Sequence, residues 1–392
     1  MNTPYAFIAK GALHFLEKDG KMNAIESQFG RKVCERALSI YQRNAWKREG
    51  SGAHFMSGGL IWADGQQQDT SGVQVFLTGL AKGRLEDEWF YSLETGSISG
   101  MFRIRSDQTE QRLFHTSDFH LRHPSIHSET GEIACSLTGR DGSSNIAVMS
   151  DQGEGMAEVT EGDSMDLAPS WIPGTKRRLV FQSAGLARDS QGLFRGYGPF
   201  AVHLLDLDQG RMDTLCEDPQ TDYLWPKMRE DGALHFIRRP YVNPGVHFHW
   251  GRFLMDILLF PFRFLFAILQ YCNFFTIRYT GRPLSAVGGA RQRDMDLKRM
   301  MVQSNMLNAA QVYQLEEKGK EDDKSLVSSS AQLIRRLPSG QEEVLAKGVF
   351  TYDLCTDSSV LYSDGGTVYR LEKAGSRLQL AKSEFIEQVV AG

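Results

Sequence analysis

Cysteine is scarce. The five that occur in 392 residues (Cys34, Cys135, Cys216, Cys272 and Cys355) show no C-x-x-C and no metal-ligand spacing. A dispersed, odd set reads as reduced structural thiols and points to a cytosolic or inward-facing location. Neither sign of charge predominates: 44 Lys and Arg stand against 48 Asp and Glu, a net −4. That balance excludes a strongly basic nucleic-acid binder. The opening stretch MNTPYAFIAKGALHF has no basic start, no long apolar core and no small-residue cleavage site, so no export signal is expected. Phosphate-binding Gly-x-x-x-x-Gly-Lys and dinucleotide fingerprints are missing. GSISG (Gly96–Gly100) carries Ile98 where a nucleophilic serine would be needed. No catalytic residue, cofactor or metal site is therefore assigned from motifs.

What the chain does have is glycine, 38 residues of it, and internal repetition. GALHFLEKDG (Gly11–Gly20) and GTVYRLEKAG (Gly366–Gly375) agree at five of ten positions from opposite ends of the chain. Each reads as strand, turn, strand. The same shape recurs at Gly100–Phe114, Ser144–Val159, Phe200–Leu215 and Ala331–Leu345, with Gly or a small polar residue where a tight hairpin needs positive φ. A second unit precedes the internal hairpins. HPSIHSETGEIACSL, APSWIPGTKRRLVFQS and WPKMREDGALHFIRR align on Pro124, Pro169 and Pro226, 45 and 57 residues apart. Weaker copies are Phe55–Gly65 and Leu354–Gly366. Together the two units make a four-stranded antiparallel sheet that cannot bury both faces alone, so copies must stack. A ring of such sheets is a β-propeller. Six hairpins predict six four-stranded blades, with seven as the alternative if residues 28–100 hide another. The end repeats predict closure by terminal strands lying side by side. Arg31–Glu49 reads as an amphipathic surface helix or, alternatively, as a strand.

The Pro-Ser-Trp-x-Pro-Gly…Leu-Val-Phe string from Pro169 to Phe181 resembles the repeat of TolB-like (PD40-type) propellers. So does Pro-x-x-x-x-Asp-Gly-x-Leu-x-Phe from Pro226 to Phe236. The resemblance covers about half the chain and implies a fold, not a partner. Trp171 is followed by Pro173-Gly174 without Asp, the Asp231-Gly232 copy lacks the Trp, and no TolB amino-terminal domain is expected.

Residues 241–310 break the pattern and divide the propeller into 1–240 and 311–392. Phe253–Ile277 is apolar and aromatic, interrupted by Asp256, Pro261, Arg263, Gln270 and Asn273. One membrane crossing would put parts of one ring on opposite sides, and two crossings need roughly 40 residues. As a helix the segment places Arg252, Asp256, Arg263 and Gln270 within about 40° of one another, leaving a wide apolar face. Arg278–Met300 then holds six basic residues and two acidic ones, a local +4. An apolar helix beside basic charge suits the anionic cytoplasmic leaflet. The alternatives are burial against a protein partner or self, and a cap on the propeller. The attachment residues are Phe253, Leu254, Phe260, Phe262, Phe264, Phe266, Phe274, Phe275, Arg278 and Arg282. Asp294–Leu315 reads as a returning helix, and Glu316–Ser330 as a solvated loop.

Two further groups carry residue types suited to chemistry. His115, His120, His123 and His127 fall within thirteen positions, but Pro124 and the repeat register place them on a loop and strand rather than on one helix face. Asp206 and Asp208 in LDLDQG read as a hairpin turn rather than a calcium loop. The expectation is a non-enzymatic scaffold or adaptor, peripheral to the cytoplasmic face of a membrane or to a membrane protein, with a protein partner and no nucleic acid. The alternative is a hydrolase or lactonase-like enzyme with a metal or ligand site in the propeller channel. The oligomeric state stays open.

Overall fold

A computed structural model of the chain describes residues 5–17, 21–44, 75–95, 98–105, 107–188, 194–241, 327–373, 375–383 and 385–392. In chain order the elements begin with β1 (Tyr5–Ala9), β2 (Ala12–Leu16), β3 (Met22–Ile25) and helix α1 (Gln28–Asn44). Next come β4 (Val75–Lys82), β5 (Glu88–Thr95), β6 (Ile98–Arg105) and β7 (Glu110–Thr116). These are followed by β8 (His120–Ile126), β9 (Ile133–Thr138), β10 (Ser144–Met149) and β11 (Ala157–Glu158). The chain continues with β12 (Ser164–Trp171), β13 (Arg178–Arg188), β14 (Phe194–Tyr197), β15 (Ala201–Asp206) and β16 (Arg211–Cys216). Then come β17 (Thr221–Met228), β18 (Leu234–Pro240), β19 (Gln332–Arg336) and β20 (Glu342–Lys347). The last are β21 (Thr351–Leu354), β22 (Val360–Ser363), β23 (Thr367–Leu371), β24 (Arg377–Lys382) and β25 (Ile386–Ala391).

The expected all-β class holds. Four-stranded antiparallel sheets form in the orders β4-β5-β6-β7, β17-β18-β19-β20, β21-β22-β23-β24 and β25-β1-β2-β3. The remaining strands make a nine-stranded sheet. A single parallel bridge, Ser144↔Met165, joins its β8–β11 part to its β12–β16 part. Each hairpin read from the repeats is present: β2–β3, β6–β7, β10–β11, β15–β16, β19–β20 and β23–β24. The terminal strands do lie side by side, with Phe7 opposite Val389.

The core lies between facing sheets. Ile8 and Leu13 meet Leu80, Trp89 and Phe102; Phe90 and Met101 meet Leu121 and Cys135. Ile146 and Val148 meet Trp171 and Phe181, Val180 and Val202 meet Phe236 and Ile334, and Phe7 and Val389 meet Leu361 and Val368. A sheet sandwiched in this way buries both faces of its inner strands. β5 is buried along its whole length, Glu88–Thr95, so it shows no polar–apolar alternation, and β4–β5 escaped the sequence reading. None of Cys34, Cys135, Cys216 and Cys355 forms a disulfide.

Helix α1 resolves the helix-or-strand alternative and starts before Arg31. Ser27 caps it, its Oγ accepting from Gly30 N at 3.1 Å. The Glu110 carboxylate on β7 accepts from the first helical amides, Gln28 N at 2.8 Å and Phe29 N at 2.9 Å. Negative charge at that helix end is stabilising. No described helix is long and apolar enough to cross a membrane. The Phe55–Gly65 copy and the Asp294–Leu315 helix lie outside the described residues, as does Glu316–Ser330 up to residue 326.

Strands on either side of the apolar segment pair directly. β18 runs antiparallel to β19 with Arg238 opposite Gln332, so the two ends of the intervening chain are neighbours in one sheet. Replacing Val246–Thr280 with a short Gly/Ser linker is expected to keep a single cooperative, β-rich unfolding transition by circular dichroism. An aggregated or molten product would show that the segment belongs to the core.

Candidate functional site

The first strands of the sheets converge. Residues of β4, β8, β12, β17, β21 and β25 line one cavity of about 140 Å³. Three of these strands carry the aligned prolines, and the structure shows what they do. Register slips by one residue between Arg122 and Ser125, Leu167 and Ser170, and Leu224 and Lys227. In each slip the residue before proline is left-handed: His123 at φ 52°, Ala168 at φ 51° and Trp225 at φ 54°. Such conformations cost on the order of 1–3 kcal/mol each. Proline suits the bulge because it has no N–H to lose from the ladder. β4 bends too, between Leu77 and Gly79, where a Cβ on Gly79 would sit 2.3 Å from Pro124 Cδ. Gly79 is thus required by close approach.

An innermost strand has an edge with no strand beyond it. Here side chains reach across from one first strand to the next. Thr78 Oγ1 on β4 donates to Leu121 O on β8 at 2.8 Å. Ala168 N on β12 donates to His123 Nδ1 at 3.4 Å, and Trp171 N to Ser125 Oγ at 3.1 Å. Trp225 N on β17 donates to Gln182 Oε1 of β13 at 2.6 Å. Lys227 Nζ pairs with Asp353 on β21 at 2.8 Å, and Tyr352 Oη donates to Trp225 O at 2.7 Å. Asp353 Oδ2 accepts from Ala391 N on β25 at 2.9 Å. Gln388 completes the circuit to β4: its amide accepts from Leu80 N at 2.8 Å and donates to Leu80 O at 2.9 Å.

The histidine cluster disperses. His115 is exposed and lies tilted beside Phe29. His120 lies 3.6 Å from the buried Glu94, which also holds Arg122 at 3.1 Å. His123 is buried edge-on against Trp225. Burial, with Arg122 beside it, pushes its pKa down to about 3, so the ring stays neutral and accepts from Ala168 N. His127 packs edge-on against Trp171, and its Nδ1 accepts from Thr130 N at 3.1 Å. Among the described residues no three His, Cys, Asp or Glu side chains stand close enough to hold a metal. Asp206 Oδ1 accepts from Asp208 N and Gln209 N at 3.1 and 3.0 Å, the expected hairpin turn. The proposed attachment residues, Phe253, Leu254, Phe260, Phe262, Phe264, Phe266, Phe274, Phe275, Arg278 and Arg282, lie outside the described residues.

Sequence reasoning missed Lys227, Asp353, Gln182 and Gln388. The position one past each aligned proline was available as a signal, since it yields Ser125, Ser170 and Lys227. It missed a rim feature too. β14 extends the β13–β15 connection as a ribbon paired to β13, with Leu186 opposite Tyr197. Tyr241, just past β18, donates its hydroxyl to the Tyr197 carbonyl at 2.5 Å. Both long connections therefore leave from the same face, where the first strands begin.

No known protein family matches this sequence, and no curated protein matches it either. Solved structures do match. A chain from a nidogen/laminin complex is 8% identical over 99% of this chain and 97% of that one, with a TM-score of 0.52. TolB from Acinetobacter baumannii is 10% identical over 99% of this chain and 66% of its own, with a TM-score of 0.50. An oligogalacturonate lyase from Vibrio parahaemolyticus is 9% identical over 79% and 64%, at 0.39, too distant to carry an argument. The fold is that of a TolB-like β-propeller, as the repeat strings implied.

Two outcomes follow from the inner circuit. Gln388→Leu strands the Leu80 N–H and C=O and should cost about 1–3 kcal/mol per unsatisfied group, read as a lower denaturant midpoint. His123 has a lower pKa folded than unfolded, so its contribution is intact above the unfolded value. It is lost as pH falls towards about 3, by up to about 1.4 kcal/mol per pH unit. Wild type should lose stability between about pH 6.5 and about pH 4 more steeply than His123→Asn; equal slopes would show that His123 does not titrate on unfolding.

Proposed function

We propose that the chain is a six-bladed, non-enzymatic propeller that serves as a scaffold or adaptor. It is built from 1–240 and 311–392 around the 241–310 insertion. The 246–280 stretch attaches it peripherally to the cytoplasmic face of a membrane or to a membrane protein. The observation that supports this reading is the Tyr241–Tyr197 hydrogen bond. It holds the residue that follows β18 at the rim of one face, and β18 and β19, the strands flanking the intervening chain, pair directly. A segment rooted in this way can lie against a surface without threading the ring across a bilayer. The central cavity supports binding less well, because Lys227, Asp353 and Gln388 are already spent joining strands. The hydrolase reading is less well supported, because His123 and His127, two of the four histidines it relied on, are used in packing.

Liposome flotation tests attachment. Wild type should float with anionic vesicles. Changing Arg278, Arg282, Arg291 and Arg293 to Gln should weaken binding by up to about 4 kcal/mol at low salt, at about 1 kcal/mol per residue. The loss should shrink as the Debye length falls to about 8 Å. Equal flotation with neutral vesicles, unchanged in the variant, removes the electrostatic part. No flotation at all removes the membrane and leaves a protein partner, which pull-down in mild detergent with and without 246–280 would reveal.

A further inference from the structure

The sheets β17–β20 and β21–β24 are bridged by polar contacts. Lys227 pairs with Asp353 at 2.8 Å, and Arg229 donates to Cys355 O at 3.1 Å and Ser359 O at 3.4 Å. On the outer side of this seam lies a cleft of about 410 Å³. That size falls within the range of small-molecule sites. Its apolar walls include Leu337, Val344, Val360 and Leu371, of which Leu337 and Val344 are 37% and 46% exposed. A buried histidine, His235, sits among its lining residues.

The charges of the cleft balance in number, three against three, but they are not matched in pairs. Arg229, Arg335 and Lys373 face Asp231, Glu343 and Glu372. Arg335 and Glu343 pair with each other at 2.5 Å, and Glu372 is drawn to Arg370, outside the cleft, at 3.6 Å. Asp231 is occupied in capping Ala233 N at 2.9 Å. Among the described residues no carboxylate stands within ion-pair distance of Arg229 or Lys373, and Arg229 spends its guanidinium on neutral carbonyls. Burial first, then Arg229 and to a lesser extent Arg335, hold the His235 imidazole down to about 4, against the Ala233 backbone and Asp231.

We propose that this seam is a binding site for a small anion with an apolar body, a carboxylate or phosphate ester. Its charged group sits between Arg229 and Lys373, and its apolar part lies on Leu337, Val344 and Val360. The site is independent of the apolar insertion and of the reading given to it.

The full chain, labelled at histidine, is titrated with 4-phenylbutyrate, phenyl phosphate and the uncharged 4-phenylbutanol, and the His235 imidazole resonance is followed by NMR. His235→Gln identifies that resonance. Saturable movement with the two anions and none with the alcohol is expected. Relative affinity for carboxylate and phosphate tells which group the site prefers. Lys373→Glu, an exposed turn substitution that should not disturb folding, is expected to weaken anion binding about tenfold or more. Val344→Glu on the exposed edge strand should do the same. Binding of the alcohol as tightly as the anions, anion binding indifferent to Lys373→Glu, or no saturable movement of His235 would each overturn the proposal.

Discussion

The innermost strand of each sheet has backbone donors and acceptors along an edge where no further strand can pair. An unpaired edge is costly when buried and hazardous when exposed. This chain meets the constraint by lending side chains across each gap. Gln388 does so most completely, giving Leu80 both an acceptor and a donor as a neighbouring strand would. The x-Pro bulges belong to the same solution. At these points the ladder skips, proline removes a donor, and the amides of Ala168 and Trp225 turn to His123 and Gln182. The left-handed strain is tolerated because the surrounding contacts over-determine it.

That solution shapes where function can lie. Polar side chains at the centre are committed to holding strands together, and the remaining cavity is small. The rim and the seams are different. On one face the β14 ribbon and the residue that follows β18 meet through Tyr197 and Tyr241. On the seam between β17–β20 and β21–β24, polar bridges border a cleft in which Arg229 and Lys373 have no carboxylate partner among the described residues.

Legibility followed burial. The outer hairpins are largely exposed, so their polar residues and turns show in the sequence: β20 and β24 consist of exposed and half-buried positions throughout. β5 is buried on both faces, and its run WFYSL carries no period. Helix α1 was ambiguous because its start depends on Glu110, a residue of another strand some eighty positions away. The site was less legible than the fold. Lys227 and Asp353 are 126 residues apart, and Leu80 and Gln388 are 308 apart; no local spacing announces such pairs.

Repeat period, turn chemistry and aligned prolines are local properties, and these the amino-acid order determined by itself: a closed, stacked all-β architecture with terminal strands paired. Only the tertiary structure decided what the prolines were for, which histidines became neutral packing groups, and where charge was left unmatched. Those outcomes depend on which residues of different sheets come within hydrogen-bonding distance and lose their water. Desolvation and pairing are properties of the assembled ring, not of any segment of the chain.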